Sequence, residues 1–464
     1  MAVRRILTLI ACGAITTPAL ASPQSDSTNG RAVFTGATTA HPTSIVLNPA
    51  ALGVGSSASF ELYVSALASL TQLSIDRRVL DLATGTLSDG PSVDDLQLAP
   101  GGLISGIGHP NDRLALGVEF RVPPGEQAPS NHEALGYHTL GGYHRNYLTT
   151  IGVSLRITRA FHFGASLTHD MTSLRLRYLR DTALDAGEAS TEDPAAAERY
   201  DVRARAPYLA TENFRVSIGT VVRLYPDVYL GLAYHTPPGF SVQTSLAGTM
   251  DILRAPRDGG AALRGDSTVY VQLPASIDGE LRARLPRDLQ LHVGGRWQDL
   301  SRLQAIDVRG VGSTFRPNNI PEWQLRARGY HDSFALWAGV DQIDTGQPLR
   351  FGGRFGFQTS AVDTDRTTPL TVAPLSLTLD AGTQWRMSPA WVMQLTYGIQ
   401  YYPTVSATRS DFDPRYRLDC IDSGFDYSTR ACEATRNGYA LPTAAGDYMK
   451  LEHDFRLAFR YTYQ

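Results

Sequence analysis

The sequence lacks the motifs that carry most enzyme chemistry. It contains no His-Glu-x-x-His, no Gly-x-Ser-x-Gly, no phosphate-binding loop and no dinucleotide fingerprint, and its 11 histidines are scattered. Two cysteines near the end of the chain have no paired histidines beside them, so they do not form a usual zinc set. We therefore expect no enzyme activity, no metal and no cofactor.

The charge balance gives no support for nucleic-acid binding. The formal net charge is -3, and arginine supplies nearly all of the 42 basic residues because Lys450 is the single lysine. Removal of Arg4 and Arg5 with the signal peptide described below gives a net charge of -5 for the mature chain. A chain of modest negative charge has no basic excess with which to bind a phosphate backbone.

The first 21 residues have the features of a secretory signal peptide. Two arginines precede an apolar run from Ile6 to Ile15, and Ala19-Leu20-Ala21 predicts cleavage before Ser22. A lipoprotein signal that ends at Cys12 is the alternative, but the apolar run before Cys12 is shorter than the about 7 residues that such a region usually has. The mature chain is predicted to be exported.

In the mature chain, apolar and polar residues alternate in short runs, which predicts strands. No apolar run there approaches the about 18 residues that a membrane-spanning helix needs. The runs come in pairs, and each pair is predicted to form an antiparallel hairpin. Short turns lie at 158–160, 225–227, 286–288 and 386–389. A further hairpin is predicted to join Trp323–Ala327 to residues 334–340.

The connections between hairpins are long and polar, whereas the turns within them are short. Outer-membrane barrels show this asymmetry, with the short turns on the periplasmic side. Polar residues such as Arg296 and Gln384 then line a lumen while the apolar face meets lipid. We predict an all-β fold, a transmembrane antiparallel β-barrel of about 14 strands. The predicted connections are 76–95, 181–211, 237–269, 302–321, 341–372 and 403–447.

One segment near the start of the mature chain shows neither a strand nor a helix pattern. Residues 27–55 are rich in Gly, Thr, Ala and Ser and centre on Asn48-Pro49-Ala50. Pro49 lacks a backbone donor and favours an extended Asn48, whose side chain can hydrogen-bond its own backbone and fix a turn. Such a segment buries too little apolar surface to fold alone. We predict that it is held inside the barrel.

With these features the sequence resembles the FadL-type family of outer-membrane transporters for long-chain fatty acids and other hydrophobic molecules. The resemblance rests on Asn48-Pro49-Ala50 after a Gly-rich segment, on the hairpin series, and on Leu273-Pro274 before the strand pair that ends at Trp297. It implies a signal peptide at 1–21, an N-terminal hatch (plug) inside the lumen at 22–56, and a barrel with long extracellular loops at 57–464.

The resemblance also implies a route for the ligand. In that family the ligand is captured among the extracellular loops and passes to a pocket above the hatch, and hatch movement opens a path to a lateral exit at a kink in the third strand. Here the third strand is 113–122, with Gly117 inside it and Pro123-Pro124 at its end, and both can break a ladder. The family usually ends on an aromatic residue, whereas this chain ends on Gln464, so insertion would rely on Tyr463.

The predicted function is passive uptake of long-chain fatty acids or other hydrophobic small molecules across the outer membrane. The expected partners are a hydrophobic ligand (fatty acid or hydrocarbon), outer-membrane lipid and the barrel-assembly machinery, and the chain is expected to be a monomer. Two alternatives stay open, a barrel enzyme of the lipase or protease type and a structural or adhesin barrel. Hydrolysis of lipid or peptide would favour the first, and normal hydrophobic uptake after deletion would favour the second.

Two cysteines and two arginines complete the candidate residues. Cys420 and Cys432 lie in the last long connection, and export to an oxidising compartment favours a disulfide between them. Arg175 and Arg177 interleave with apolar residues just beyond the fifth strand's alternation, which predicts a bulge near Thr172. If they face inward, a guanidinium can pair with a ligand carboxylate. The alternative is that they balance lumenal acids or meet surface anions.

Replacing Arg175 and Arg177 together by Ala tests the ligand contact. If a guanidinium pairs with a ligand carboxylate, the double variant takes up fatty acid more slowly than the wild type, because a charge-assisted hydrogen bond is lost. Uptake is measured in whole cells with the amount of barrel in the outer membrane matched by immunoblot. Unchanged uptake at normal barrel levels would contradict the contact.

Overall fold

The computed structural model describes residues 33–55, 59–130, 132–188, 192–241, 243–318, 320–436 and 441–463. The predicted signal peptide, residues 22–32 and 56 of the predicted hatch, and Gln464 lie outside the described residues. Most of the described chain is strand, as the alternating runs predict.

The described strands form one connected antiparallel sheet system. They are β1 (Phe60–Leu80), β2 (Leu87–Asn111), β3 (Leu114–Val122), β4 (Glu126–Gln127), β5 (Gly141–Arg156), β6 (Phe161–Asp181), β7 (Ala197–Arg205), β8 (Phe214–Tyr225), β9 (Val228–His235), β10 (Thr244–Leu253), β11 (Ala262–Val271), β12 (Ser276–Leu285), β13 (Leu289–Gln298), β14 (Ala305–Val311), β15 (Trp323–Ala327), β16 (Ser333–Gln342), β17 (Leu349–Gln358), β18 (Ser376–Arg386), β19 (Trp391–Ala407) and β20 (Gly446–Tyr463).

Helices are few and short. The α-helices are α1 (Thr182–Asp185), α2 (Arg415–Asp422) and α3 (Arg430–Arg436). The 3-10 helices are Pro42–Val46, Pro49–Gly53, Glu133–Leu135, Pro194–Ala196, Thr211–Asn213, Pro238–Ser241, Pro256–Asp258, Leu300–Arg302, Arg316–Asn318 and Thr364–Arg366. Among the described helices, none has the length and apolar character needed to cross a membrane.

Fourteen of the described strands close into a ring. The order is β1, β2, β3, β5, β6, β8, β9, β12, β13, β16, β17, β18, β19 and β20, and β20 pairs back with β1. Phe60 pairs with Tyr463, so both ends of the ring lie on the side of the short turns. The prediction of a closed antiparallel barrel of this size is confirmed.

The apolar face of the barrel strands points outward. In β3, Val118 and Phe120 are exposed, whereas Glu119 and Arg121 between and beside them are buried. A soluble barrel has the opposite arrangement, because apolar side chains gain free energy by leaving water. An outer face of this kind needs lipid around it, and the polar face then lines the lumen.

Five further strands form a second sheet on the side of the long connections. β7, β10, β11, β14 and β15 pair in that order, and β7 pairs with the upper half of β6. We call these five strands the outer sheet. β1 and β2 also extend in this direction, since their 21 and 25 residues exceed the about 9–11 residues that cross a bilayer. Many of the residues predicted to form polar connections are therefore in strands.

One predicted hairpin is wrong. β15 pairs with β14 in the outer sheet, and β16 pairs with β13 and β17 instead. A strand of five residues is too short to cross a bilayer. Its place in the ring is taken by β17, which lies inside the connection predicted at 341–372. Gly352, Gly353 and Gly356 weaken the strand signal of β17, because glycine has low strand propensity.

Two smaller predictions are also wrong. The connection predicted at 76–95 is mostly paired strand, since β1 and β2 pair up to Leu80 opposite Leu87. No bulge lies near Thr172, because β5 and β6 keep one register along their whole length. The neighbour on the other side of β6 changes there instead, from β8 up to His169 to β7 from Ser173.

Phe355 offers a test of β17 as a lipid-facing strand, because its side chain is exposed on the outer face. Phe355→Arg is expected to lower the free energy of unfolding by about 2–4 kcal/mol, which is the cost of arginine near the middle of a bilayer. Tyr427→Arg is the control, because Tyr427 is exposed in the connection between α2 and α3, and surface changes of this kind stay within about 0.5 kcal/mol. Denaturant unfolding in lipid vesicles measures both values. Equal costs would contradict the placement of β17.

Candidate functional site: the plugged lumen

The described part of the N-terminal segment is packed against the inner wall of the barrel. We call these residues, 33–55, the plug. Its two 3-10 helices, Pro42–Val46 and Pro49–Gly53, lie against β3, β5, β6 and β8. Ala50, Ala51 and Leu52 are completely buried. The segment that the sequence leaves without a regular pattern is thus ordered by the strands around it.

Asn48 joins the plug both to itself and to the wall. Its backbone is extended, with φ -158° and ψ 104°, as Pro49 predicts, and its Oδ1 accepts a hydrogen bond from the Ala50 N–H at 3.1 Å. Its Nδ2 donates to the carbonyl of Ala37 at 2.8 Å and to that of Thr220, on β8, at 2.9 Å. Because the side chain is buried, losing these partners would leave polar groups unsatisfied.

Serines of the wall satisfy carbonyl groups of the plug. Irregular backbone inside a membrane protein must find such partners, since no sheet ladder or bulk water supplies them. The donors are Ser105 of β2, Ser154 of β5 and Ser166 of β6, whose Oγ atoms reach the carbonyls of Pro42, Ala50 and Ile45 at 2.8, 2.9 and 3.4 Å.

Inward-facing glycines make room for the plug. Gly164 of β6 and Gly219 of β8 lie opposite each other in the ladder. A Cβ atom at Gly164 would lie 2.3 Å from the backbone nitrogen of Ala50, and one at Gly219 would lie 2.1 Å from Oδ1 of Asn48. Any side chain at these positions would push the plug away from the wall.

A buried carboxylate holds the plug at a second point. Oε1 of Glu280, on β12, accepts hydrogen bonds from the N–H and the hydroxyl of Thr38 at 3.1 and 2.5 Å. Nδ1 of His292, on β13, lies 3.5 Å from the same carboxylate, and its Nε2 lies 2.9 Å from Asp341 of β16. The imidazole therefore bridges two acids and ties the plug contact to three barrel strands.

A second buried cluster lies beside the first. Arg296 donates two hydrogen bonds to the carboxylate of Asp278 at 2.7 and 2.8 Å, and Nε2 of His235 lies 2.9 Å from the same group. Removing one member of such a buried ion pair costs about 3–5 kcal/mol, because the remaining charge loses its partner. The lumen wall is thus fixed by matched charges.

The space between the plug and these charges is small. A cavity of about 20 Å³ lies there, which is room for about one water molecule. Neither a fatty acid nor an aromatic hydrocarbon fits. The cavity is lined by Thr35, Gly36, Ala37 and Leu47 of the plug and by Asp278, Glu280, Arg296, Trp337 and Arg354 of the wall.

On the outer side of the plug, the inner surface becomes apolar. In β6 the buried positions are small or polar up to Thr172 and apolar from Leu174. They join a buried cluster that we call the outer core. Its members are Ala128, Leu174, Leu176, Tyr178, Tyr200, Val202, Ala204, Ala206, Leu246, Met250, Ile252, Val269, Val271, Leu300, Leu303, Ile306, Val308, Phe315, Ile320, Tyr330, Ala361, Val362 and Ala373.

The same alternation puts Arg175 and Arg177 on the outward face of β6. Nε of Arg175 donates to the carboxylate of Asp201, on β7, at 2.8 Å, and Arg177 lies opposite Asp201 in the ladder. Leu174 and Leu176 take the inward positions. The contact with a ligand carboxylate stays a prediction, and this placement favours the alternative of a surface anion.

Gly117 does not end the third strand, because β3 pairs with β5 in one register on both sides of it. The pairing of β3 with β2 is regular from Val122 to Leu116, and its register shifts by one residue between Leu116 and Leu114, beside Gly117. A Cβ atom at Gly117 would lie 3.0 Å from side-chain atoms of Ile45 and Leu52, so this glycine also makes room for the plug. The strand ends at Val122, directly before Pro123-Pro124.

The cysteine pair lies outside the barrel. Cys420 of α2 and Cys432 of α3 form a disulfide with their Cα atoms 4.6 Å apart. It links the two helices of the last long connection. This bridge is remote from the plug and has a structural role in the outer loop.

Sequence reasoning did not identify the acids that organise the lumen. Asp278, Glu280 and Asp341 lie at buried positions of barrel strands. The sequence contains a signal that could have identified them. Each acid occupies a polar position in a run where polar and apolar residues alternate. Buried acids in a membrane protein need a basic partner, and Arg296 and His292 lie on the neighbouring strand.

Gly164→Ala tests whether the plug closes the lumen. The added methyl group meets the plug backbone, so the plug is expected to shift and the barrel to admit small sugars. Gly108→Ala is the matched control, because a Cβ atom there meets nothing within 4 Å. Swelling of liposomes that contain each variant measures sugar entry. Equal swelling of the two variants would contradict the close fit at Gly164.

Comparison with known proteins agrees with this architecture. Residues 7–432 match the model of the outer membrane protein transport protein family (OMPP1/FadL/TodX). No curated protein matches the chain by sequence.

Solved structures show the same fold at low sequence identity. A FadL homologue from Pseudomonas aeruginosa superimposes with a TM-score of 0.74 at 15% identity, over 96% of this chain and 100% of that one. The toluene transporter TodX from Pseudomonas putida gives 0.61 at 13%, over 94% and 100%. The toluene transporter TbuX from Ralstonia pickettii gives 0.59 at 15%, over 93% and 96%. With a family match over nearly its whole length, the chain belongs to the OMPP1/FadL/TodX family of outer membrane transport proteins.

Proposed function

We propose that this protein is a plugged outer-membrane channel for the passive uptake of hydrophobic small molecules, such as long-chain fatty acids or aromatic hydrocarbons. The observation that carries the proposal is the order of two regions inside the chain. The apolar outer core comes first from the outside, and the polar, plugged lumen lies below it. A hydrophobic molecule is favoured among the apolar side chains of the outer core and is stopped at the plugged lumen.

The hydrophobic effect is the driving force for capture in this proposal. Each buried methylene group contributes about 0.8 kcal/mol, so a chain of about ten methylenes gains about 8 kcal/mol before the costs of binding. Lost translational and rotational freedom costs about 4–15 kcal/mol, so the net affinity is weaker than the micromolar value that this gain alone would give. Capture therefore requires no energy source, whereas release requires a route away from the outer core.

The plug acts as a hatch in this proposal. The polar contacts that hold it to the wall include Thr38 with Glu280 and Asn48 with Thr220. Net hydrogen-bond contributions are about 0.5–1.5 kcal/mol each, and more for a charged acceptor. A small number of such contacts can rearrange when a ligand occupies the space above, which supports a movable hatch at 22–56.

The end of β3 is the proposed lateral exit. β3 pairs with β2 only as far as Val122 opposite Gly102, whereas β2 continues outward along β1 to Leu87. On the side of β5 that faces β3, only the short β4 among the described strands pairs with β5 beyond this level. Leu96 and Leu98 are exposed on β2 beside the gap, which supports an opening toward lipid rather than water. Pro123 and Pro124 keep the ladder from closing, since proline has no N–H to donate.

The family and its solved members favour transport over the alternatives of a barrel enzyme or an adhesin. Two of the structural relatives are described as toluene transporters, which brings aromatic hydrocarbons into the proposed substrate class beside fatty acids. Closure of the described ring within one chain supports a monomer that is inserted by the barrel-assembly machinery.

Uptake by cells that lack other channels of this family tests the proposal. Cells with the wild-type protein are expected to take up a labelled long-chain fatty acid or labelled toluene faster than cells without it. Pro123→Val with Pro124→Thr restores two backbone donors and lets β3 continue along β2, so uptake is expected to fall toward the level of cells without the protein.

Pro226→Thr is the control for the loss of proline, because Pro226 lies in the short turn between β8 and β9. It should leave uptake unchanged. Equal uptake by the double variant and the wild type would contradict the exit at β3. Equal uptake with and without the wild-type protein, for both compounds, would contradict the transport function itself.

A further inference from the structure

An arginine-rich surface lies on the outside of the barrel above the lipid-facing belt. Low on β6 the outward residues are apolar, with Phe163 and Leu167 exposed to lipid. Farther out on the same face the outward residues become Arg175 and Arg177. The change occurs on one continuous strand, so the two surfaces are directly joined.

The neighbouring strands add four arginines to this face. Directly opposite residues of an antiparallel pair share a face of the sheet. Arg203 lies opposite Arg175, and both Arg145 and Arg205 lie opposite Ser173. The group, which we call the arginine face, consists of Arg145, Arg175, Arg177, Arg199, Arg203 and Arg205.

Acids on the same face neutralise the six arginines only in part. Asp201 forms ion pairs with both Arg175 and Arg203, and Glu133 lies 3.9 Å from Arg199. Asp251 of β10 lies opposite Asp201 in the ladder and pairs with Arg264 at 3.5 Å. Among the residues that the structure describes, Arg177 and Arg205 form no ion pair. The whole chain has a net charge of -3, so an overall excess of basic residues does not explain the cluster.

Exposed apolar side chains lie directly beside the arginine face. Tyr208 and Leu209 follow the end of β7, Phe240 follows β9, and their side chains are 74%, 62% and 62% exposed. We call these three residues the apolar tip. Leu209 and Phe240 have φ values of 61° and 56°, which bulky L-residues rarely adopt and which cost free energy. Leu209 and Phe240 are exposed although their backbone conformation is unfavourable. We take this as an indication that the surface binds a partner.

The apolar tip is continuous with the lipid-facing surface. The rings of Tyr208 and Phe214 both pack against His169 of β6, at centroid distances of 6.0 and 4.9 Å. Phe214 begins β8, a strand of the membrane barrel. The loops after β7 and β9 also touch, since a Cβ atom at Gly239 would lie 2.8 Å from Cα of Glu212.

We propose that the arginine face and the apolar tip together bind a phosphate-bearing lipid of the outer leaflet. The guanidinium groups pair with the headgroup phosphates, for which arginine has a matching planar geometry. The apolar tip lies among the upper parts of the acyl chains, where aromatic and apolar anchors are favoured. The site fixes the barrel in the outer leaflet and does not depend on the uptake proposed above.

Binding of bisphosphorylated lipid A to the detergent-solubilised protein tests the site by native mass spectrometry. Arg199→Gln, Arg203→Gln and Arg205→Gln together are expected to weaken binding by about tenfold or more, because several charge-assisted contacts are lost. Arg316→Gln, Arg415→Gln and Arg430→Gln remove the same charge from exposed positions elsewhere and should leave binding unchanged.

A second variant tests the apolar tip without straining the fold. Leu209→Gly with Phe240→Gly removes both side chains, and glycine adopts their backbone conformation at no steric cost. This variant is also expected to bind lipid A more weakly, and dephosphorylated lipid A should bind the wild type more weakly than the phosphorylated form. Wild-type affinity in the triple arginine variant, or equal affinity of the two lipids for the wild type, would overturn the proposal.

Discussion

The structure depends on one constraint, which is that irregular backbone inside a membrane barrel must find hydrogen-bond partners, either within itself or on the wall. The plug meets it through the Asn48 amide, the hydroxyls of wall serines, and the Glu280 carboxylate that accepts from Thr38. Glycines at the inward positions allow the close approach that these bonds require. The polar inner face therefore matches the plug that it contacts, just as the apolar outer face matches the surrounding lipid.

The second organising feature is the exchange of polarity along β6. Below Thr172 the outward face is mostly apolar and the inward face is polar, whereas above it Arg175 and Arg177 face outward and Leu174 and Leu176 face inward. The backbone keeps one register throughout, so the environment changes and the strand does not. Outside, the lipid-facing apolar belt gives way to the arginine face, and inside, the plugged lumen gives way to the outer core. This exchange places a buried apolar cluster above the polar, plugged lumen.

Period-2 alternation predicted the hairpins, the closed ring and the lumen, because it reports which residues share a face. It does not report whether a face contacts lipid, water or protein. The exchange of apolar and polar residues between the two faces of β6 was therefore interpreted as a bulge. It also does not report which strands pair. Trp323–Ala327 alternates like a barrel strand but belongs to the outer sheet, and the glycine-rich β17 was overlooked. The extended Asn48 followed from Pro49 alone, whereas the Thr38–Glu280 contact spans 242 residues of sequence and required the fold.

The central claim is that the plug, and not the barrel wall, closes the lumen. The most direct test is the conductance of planar bilayers containing either the full-length protein or a variant that lacks residues 33–55. The full-length protein is expected to give no steady conductance, and the variant is expected to form stable open channels through the same ring of strands. Steady conductance of the full-length protein equal to that of the variant, or a folded variant that stays closed, would contradict the account.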